Sequence, residues 1–328
     1  MITDDQFKWR PPAALFAAFA IILVAAFGSA IAPLPGKAAP PAAAQQNQGP
    51  IRVEVELVNV LASVVDKNNR PVGDLTRDDF KIFDEGKLQL ISLFEAETHQ
   101  PLDIALMMDS SMSTAMDFDA ERDAVVRFTK DVVRPGDGLA FFTFADDVTE
   151  RCDFTDDLPK LHQAIAKVKQ GAGTAMYDAV VLGSQELGQR KTDRRRVIIM
   201  MTDAGETTSH SSFETARNAA IASDALLYSI ILNPVKNEGG RNTAGEHALQ
   251  TITETTGGAM FVPDNAAQLD TIFARINREL RTQYRLGFYP DPKPPAGELR
   301  HLEVKVNGEF IVRYRQAYIA PGNKSKSN

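Results

Sequence analysis

The chain has 328 residues, 44% hydrophobic and 24% charged, enough to bury an ordinary globular core in one large domain or two smaller ones. Its formal net charge of −7 argues against a nucleic-acid partner, which calls for a basic face. The single cysteine, Cys152, excludes an internal disulfide and a multi-cysteine zinc site, and the five histidines form no pair at metal-ligand spacing.

Residues 13–32, AALFAAFAIILVAAFGSAIA, carry no charge and are long enough to cross a bilayer as a helix. Lys8, Trp9 and Arg10 stand just before them, which predicts a cytoplasmic N-terminus with the rest of the chain exported. Two readings stay open. The small-x-small pattern in AAAQQ at 42–46 suits a cleaved signal peptide; the length of the apolar run, with Asp4 and Asp5 ahead of it, suits a retained anchor. Residues 33–50, rich in Pro, Ala and Gln, read as a linker. The body of the protein is expected outside the cytoplasm: periplasmic, membrane-anchored or secreted, touching a membrane through the N-terminal helix if that helix is uncleaved.

From Ile51 the pattern has period two, with Val53, Val55 and Leu57 alternating with charged residues as in a half-buried strand. DKNNRPVGDL is a turn-rich connection, and FKIF and LQLI flanking DEGK predict a hairpin. From Pro101 the character changes. LDIALMM, GLAFFTF, RVIIMMT and ALLYSII are continuous apolar runs suited to strands buried on both faces. Amphipathic helices are expected between and after them, at 117–133, 158–169, 175–187, 213–222 and 246–255, and on the stripe Leu269, Ile272, Phe273, Ile276 and Leu280. TERCDF reads as a short edge strand that buries Cys152 as an inert thiol. After Thr282 period two returns. YRLGFYP is a strand, and HLEVKV–NG–EFIVRYR predicts a hairpin turning at Asn307-Gly308.

The fold class predicted is α/β: a doubly wound, mostly parallel sheet with helices on both faces, inserted between β-rich flanks that pair into a small β-sandwich. The competing arrangement is two separate β appendages. The boundaries that follow are 1–32 for the signal peptide or anchor, 33–50 for the linker, 51–100 for the first β flank, 101–282 for the α/β domain, 283–320 for the second flank and 321–328 for a frayed tail.

In an open parallel sheet, ligands bind beyond the carboxyl ends of the strands. Asp109, Ser111 and Ser113 follow directly on the first α/β strand, Thr174 sits at the tip of QGAGTAMYDA, and Asp203 follows the strand RVIIMMT. Three loops thus bring two carboxylates and three hydroxyls to one end of the sheet. Oxygen donors without His or Cys suit a hard divalent cation, Mg²⁺ first, with Mn²⁺ or Ca²⁺ as alternatives. Two Asp charges only balance the ion, so an open coordination position would attract an acidic group from another molecule.

The set DSSMS, GT and TDAGE resembles the metal-ion-dependent adhesion site of von Willebrand factor A-type (VWA) domains, and the order of strands and helices between its parts matches as well. The flanking DLTRDDFKIFDEGKLQLISLFE and YRLGFYP resemble the bacterial VWFA-related family of exported acidobacterial proteins. The resemblance implies that Ser111, Ser113 and Thr174 bind the ion directly or nearly so, with Asp109 and Asp203 acting largely through water. It further implies protein–protein recognition, with the ion bridging to an Asp or Glu of a partner. One departure is Asp203-Ala204-Gly205, where the family often has Asp-Gly: Ala204 must accept a turn that glycine makes easier. Asp178 is either a residue supporting the ligands or a solvated or capping position early in a helix.

Other readings compete. Ser111, Ser113 and Thr114 are also the residue types that cap helices. A phosphoryl-transfer enzyme on a similar sheet, with the Asp after its first strand as nucleophile, usually needs a second acid two residues later, where this chain has Ser111, and neither a Gly-x-Ser-x-Gly elbow nor a phosphate loop is present; a metal-dependent hydrolase stays as a lesser alternative. His162 and His210 have no evident role as a base, so a non-enzyme is expected. A structural envelope protein whose metal only stabilises loops remains the alternative.

Overall fold

In a computed structural model, the described residues are 57–96, 100–112, 118–191, 193–232 and 242–321. The apolar run at 13–32, the linker, residues 51–56 of the first expected strand, and the tail from 322 lie outside them, as do Ser113 and Thr114. No helix among the described residues is long and apolar enough to cross a membrane.

Among the described residues, fourteen strands and six α-helices follow in chain order. The first flank gives β1 (Val58–Val65), β2 (Phe80–Asp84), β3 (Lys87–Gln89) and β4 (Ile91–Glu95). Next come β5 (Leu102–Asp109), α1 (Phe118–Val132), β6 (Gly138–Phe144), β7 (Val148–Thr155), α2 (Leu158–Ala166), α3 (Met176–Gly188), β8 (Arg195–Thr202), α4 (Phe213–Ser223), β9 (Ala225–Ile231), α5 (Thr243–Thr256), β10 (Met260–Phe261) and α6 (Leu269–Arg281). The second flank gives β11 (Tyr284–Phe288), β12 (Leu299–Val306), β13 (Ile311–Tyr314) and β14 (Ala317–Ile319).

The central sheet has the order β10-β9-β8-β5-β6-β7, parallel throughout except for the antiparallel edge strand β7. Its inner strands are unbroken apolar runs because both faces are covered. On β5, Leu102, Ile104, Leu106 and Met108 pack toward α1, α2 and α6, while Ala105 and Met107 pack toward α3, α4 and α5. Cys152 is buried on β7, and burial pushes its thiol up. From β5 the chain runs through α1 to β6 on one side, and later returns through α3 to β8 on the other. The strand order therefore switches direction between β5 and β8, where a crevice opens at the carboxyl ends of such sheets.

The flanks interleave. One four-stranded sheet is β13-β1-β11-β4 and the other β14-β12-β2-β3, so each combines strands from both ends of the chain. Their inner faces share a core that includes Val60, Ala62, Ile82, Leu286, Phe288, Val304 and Tyr318. The β2–β3 hairpin turns on Glu85 (φ 48°) and Gly86 (φ 76°), both left-handed, as a tight two-residue turn requires. The expected 301–315 hairpin is not one. Asn307-Gly308 reverses the chain, but β12 pairs with β2 and β14, whereas β13 pairs with β1 in the opposite sheet. The Asn307 amide donates to the Asp79 carbonyl (2.9 Å), fixing the turn to the start of β2. A turn motif dictates reversal; which strand takes the freed edge is decided by the sandwich core.

The sandwich is fastened to the α/β layer by buried polar contacts. Arg313 of β13 pairs with buried Glu279 of α6 (3.0 Å), which also accepts from the Tyr228 hydroxyl of β9 (3.1 Å). Gln283 donates to Ser63 Oγ (3.1 Å), and the Gln316 amide donates to the Thr255 carbonyl (2.8 Å).

Candidate metal centre

β5 ends at the switch point in Asp109, which is fully buried. Its Oδ1 accepts from the Ser111 amide (2.9 Å) and its Oδ2 from the Thr202 hydroxyl at the end of β8 (2.7 Å). Thr202 Oγ1 in turn accepts from the Ala204 amide (3.0 Å). One hydroxyl thus ties the first carboxylate to the turn that carries the second. Ser111 is also buried, and its backbone forms a bridge to Gly171 in the loop that leads to Thr174.

The Thr174 loop is held from two sides. Asp146, just after β6, accepts from the Ala172 (3.0 Å) and Gly173 (2.9 Å) amides. Across the crevice, the Thr174 amide donates to Thr207 Oγ1 (2.9 Å), and the Thr174 carbonyl accepts from the Thr207 (3.0 Å) and Thr208 (3.3 Å) amides. Thr174 is therefore stapled to the loop that follows Asp203.

Asp203 is half-buried and folds back on its own turn, accepting from the Gly205 amide at Oδ1 (2.8 Å). Ala204 takes the left-handed conformation, φ 61°. Gly205 leaves a cradle: a Cβ there would lie 2.9 Å from Asp203 Oδ1 and 3.5 Å from Thr174 Oγ1. The second carboxylate and the Thr174 hydroxyl flank the same small space.

Asp109, Ser111, Thr174 and Asp203 are thus gathered at the carboxyl ends of β5 and β8; Ser113 lies outside the described residues. Asp178 does something else. Its carboxylate accepts from the His210 and Ser211 amides (2.8 Å each), pinning the loop after Asp203 to α3. Burial pushes its carboxyl up, but hydrogen bonds from Ser211 and His210 outweigh that and hold it below its ordinary value. His210 is exposed beside it, and His162 touches Thr129 Oγ1 (3.0 Å) on α1.

The electrostatics fit a cation. Burial pushes the Asp109 carboxyl up to about 6; hydrogen bonds from Ser111 and Thr202 pull it down, and the neighbouring Asp203 charge raises it further. Every named partner of Asp109 is neutral, and its charged neighbour repels it. Two carboxylates in mutual repulsion beside a Thr hydroxyl form the hard oxygen donor set that a divalent cation relieves. Among the described residues no three His, Cys, Asp or Glu side chains gather to hold a metal.

Residues 104–206 match the family described as von Willebrand factor type A domain. The chain carries a VWA domain. No curated protein is significantly similar to it in sequence. Among solved structures it is similar to a von Willebrand factor type A protein from Catenulispora acidiphila, at a TM-score of 0.49 and 11% identity over 75% of this chain and 74% of that one. It is also similar to an aerotolerance-related membrane protein from Bacteroides fragilis, at a TM-score of 0.43 and 18% identity over 55% of this chain and 98% of that one. A third is proximal thread matrix protein 1 of the mussel byssus, solved with a zinc-occupied MIDAS motif, at a TM-score of 0.48 and 18% identity over 60% of this chain and 48% of that one.

Several residues that shape this VWA crevice escape a sequence reading. Thr202, Asp146 and Thr207 act through single hydrogen bonds to backbone or carboxylate. Glu206, the residue most easily mistaken for a ligand, accepts from the Tyr177 amide (3.0 Å) and from the Ser209 amide (2.9 Å) and hydroxyl (2.8 Å). The usable signal was the dense run of hydroxyls in TDAGETTSHSS, which exceeds what one helix cap requires.

Proposed function

We propose that the chain is an exported binding module, not an enzyme, that holds a divalent cation at its VWA domain and uses it to recognise an acidic group of a protein partner. Asp109, Ser111, Thr174 and Asp203 hold the ion, with Ser113 as the fifth donor expected from the sequence. When bound, the cation supplies positive charge and an electrophilic position for an incoming Asp or Glu carboxylate; Mg²⁺ suits the all-oxygen set best, with Mn²⁺ or Ca²⁺ as alternatives. The observation that carries this reading is the pairing of Asp109 with Asp203 at the switch point, facing Thr174 across the Gly205 cradle. Around it, the chain's own residues keep the donors aimed. Thr202 fixes Asp109, Asp146 fixes the Thr174 loop, and Asp178 fixes the loop beyond Asp203. Export rests on the uncharged run at 13–32 behind Lys8 and Arg10.

Calorimetric titration of Mg²⁺ and Mn²⁺ into the purified chain tests the site. Saturable binding is expected, lost in both Asp109→Ala and Thr174→Ala while their melting transitions stay cooperative. Capture of a partner should then need the ion and fail when the partner's carboxylates are neutralised. A wild-type chain that binds neither ion would overturn the reading; ion binding indifferent to every acidic ligand would reduce it to loop stabilisation.

A further inference from the structure

The opposite end of the sheet holds a cleft that the metal reading does not use. It lies where the amino ends of β8 and β9 meet strands of the sandwich, encloses about 260 Å³, and is lined by Arg194, Arg195, Arg196, Arg285 and Arg315 with Asp224 as the lining carboxylate. Such a concentration of arginine is unexpected in a chain of net charge −7.

Ion pairing inside the protein does not use up this charge. Arg315 pairs with Asp224 (2.6 Å), Arg285 with Glu95 (3.3 Å) and Arg194 with Asp103 (2.7 Å). Arg195 and Arg196 have no carboxylate partner among the described residues. Arg195 donates to the carbonyls of Gln100 (3.0 Å) and Leu280, and Arg196 to those of Ser223 (2.9 Å) and Arg190 (2.7 Å). Burial, and then the neighbouring Arg281, lower Arg195 to about 10, so it is still a cation at neutral pH. The Nε–H groups of Arg196 and Arg315 have no hydrogen-bond partner among the described residues. Carbonyls hold a guanidinium in place without neutralising it. Buried Arg195, with all three nitrogens engaged on Gln100, Leu280 and Gln283, and Arg196, held by two carbonyls, therefore add positive charge to the cleft, while the partly exposed guanidiniums of Arg194 and Arg285 offer N–H groups to carboxylate or phosphate oxygens. The volume sits below the usual range for sites of drug-sized ligands, so the occupant is small.

We infer that this cleft binds a small polyvalent oxyanion, one whose carboxylate or phosphate groups span at least two of the arginines. It is independent of the metal centre, at the other end of the same sheet. The test titrates inorganic pyrophosphate and, separately, citrate into the full chain in metal-free buffer of low ionic strength. The expected result is one saturable site for at least one of the two anions, retained in Asp109→Ala and weakened at least tenfold in Arg196→Gln. Arg196→Lys, which keeps the charge, should recover part of the loss, and Arg285→Gln serves if Arg196→Gln fails to fold. Tighter binding of pyrophosphate assigns a phosphate ligand, and tighter binding of citrate a carboxylate one. No saturable binding of either anion, or binding unchanged in both Gln variants, would overturn the proposal.

Discussion

Strand β5 carries a fully buried aspartate near each end, Asp103 at its start and Asp109 at its finish, and the two are held in opposite ways. Asp103 meets two cations, Arg190 (2.9 Å) and Arg194 (2.7 Å). Burial pushes its carboxyl up, but the Arg194 and Arg190 guanidiniums outweigh that and hold it below its ordinary value. Asp109 meets a hydroxyl and an amide, and burial pushes it up to about 6. Both side chains are hidden from solvent, yet Asp103 gains two guanidiniums while Asp109 lies deeper and gains none, and their carboxyls move in opposite directions. The compensated one braces the fold; the uncompensated one is the acid that the proposed cation would relieve.

Removing each acid should separate these roles, and it is the largest effect expected. Asp103→Ala strands two guanidiniums and should cost about 3 kcal/mol, the low end for a broken buried pair because Arg190 stays partly in water. Asp109→Asn keeps an acceptor for the Ser111 amide and reverses the bond to Thr202, whose hydroxyl oxygen would accept from the new amide, so its cost should stay within about 1 kcal/mol. Urea denaturation of both variants measures the difference. The acid limb gives a second reading of the same contrast. The folded pKa of Asp103 lies below its unfolded value of 3.8, so its contribution is complete above that pH and is lost as pH falls through the lowered value. That limb should vanish in Asp103→Ala and persist in Asp109→Asn. Equal destabilisation by the two substitutions would abolish the distinction.

The division between these ends was partly visible in the sequence. Apolar runs that stop at Asp109 and just before Asp203 announce buried parallel strands, and the fold class follows from their alternation with amphipathic helices. Local signals placed the Glu85-Gly86 turn for the same reason. Pairing across long separations left no local mark. HLEVKV and FIVRYR look like hairpin partners, yet their edges go to β2 and β1, more than 200 residues earlier in the chain. The hydrogen bonds from Thr202 to Asp109 and from Ala172 and Gly173 to Asp146 are likewise products of the assembled crevice, without period or motif. The cleft at the amino end was hidden because only Arg194, Arg195 and Arg196 adjoin in sequence, while Arg285 and Arg315 arrive from the sandwich.

A smaller effect probes how the poised end is aimed. Gly245, in the first turn of α5, lies against the Ala204 carbonyl so closely that a Cβ would overlap it. Gly245→Ala must push Ala204 away and swing Asp203 with it, leaving the ion pairs at the amino end untouched. Cation affinity should fall about tenfold, the scale of lost support around metal ligands. Calorimetric titration of Mn²⁺ checks this, and unchanged affinity would mean that Asp203 tolerates displacement of its turn.

The smallest effect concerns the left-handed turn itself. Ala204 is buried at φ 61°, a conformation that costs an L-residue roughly 1–2 kcal/mol and glycine almost nothing. Ala204→Gly removes that strain, but it also deletes a buried methyl worth about 0.8 kcal/mol. Glycine adds an entropic cost of roughly 0.5–1 kcal/mol, so the terms nearly cancel. Stability should therefore shift by less than about 1 kcal/mol. The Ala204 amide donates to Thr202 and the Gly205 amide to Asp203, and neither bond depends on the methyl. The aim of the second carboxylate should be kept, and cation affinity should stay within about threefold, under the scale of a lost supporting contact. A large gain in affinity would show that the alanine misdirects Asp203, and that this end of the sheet gives up binding strength to hold its turn.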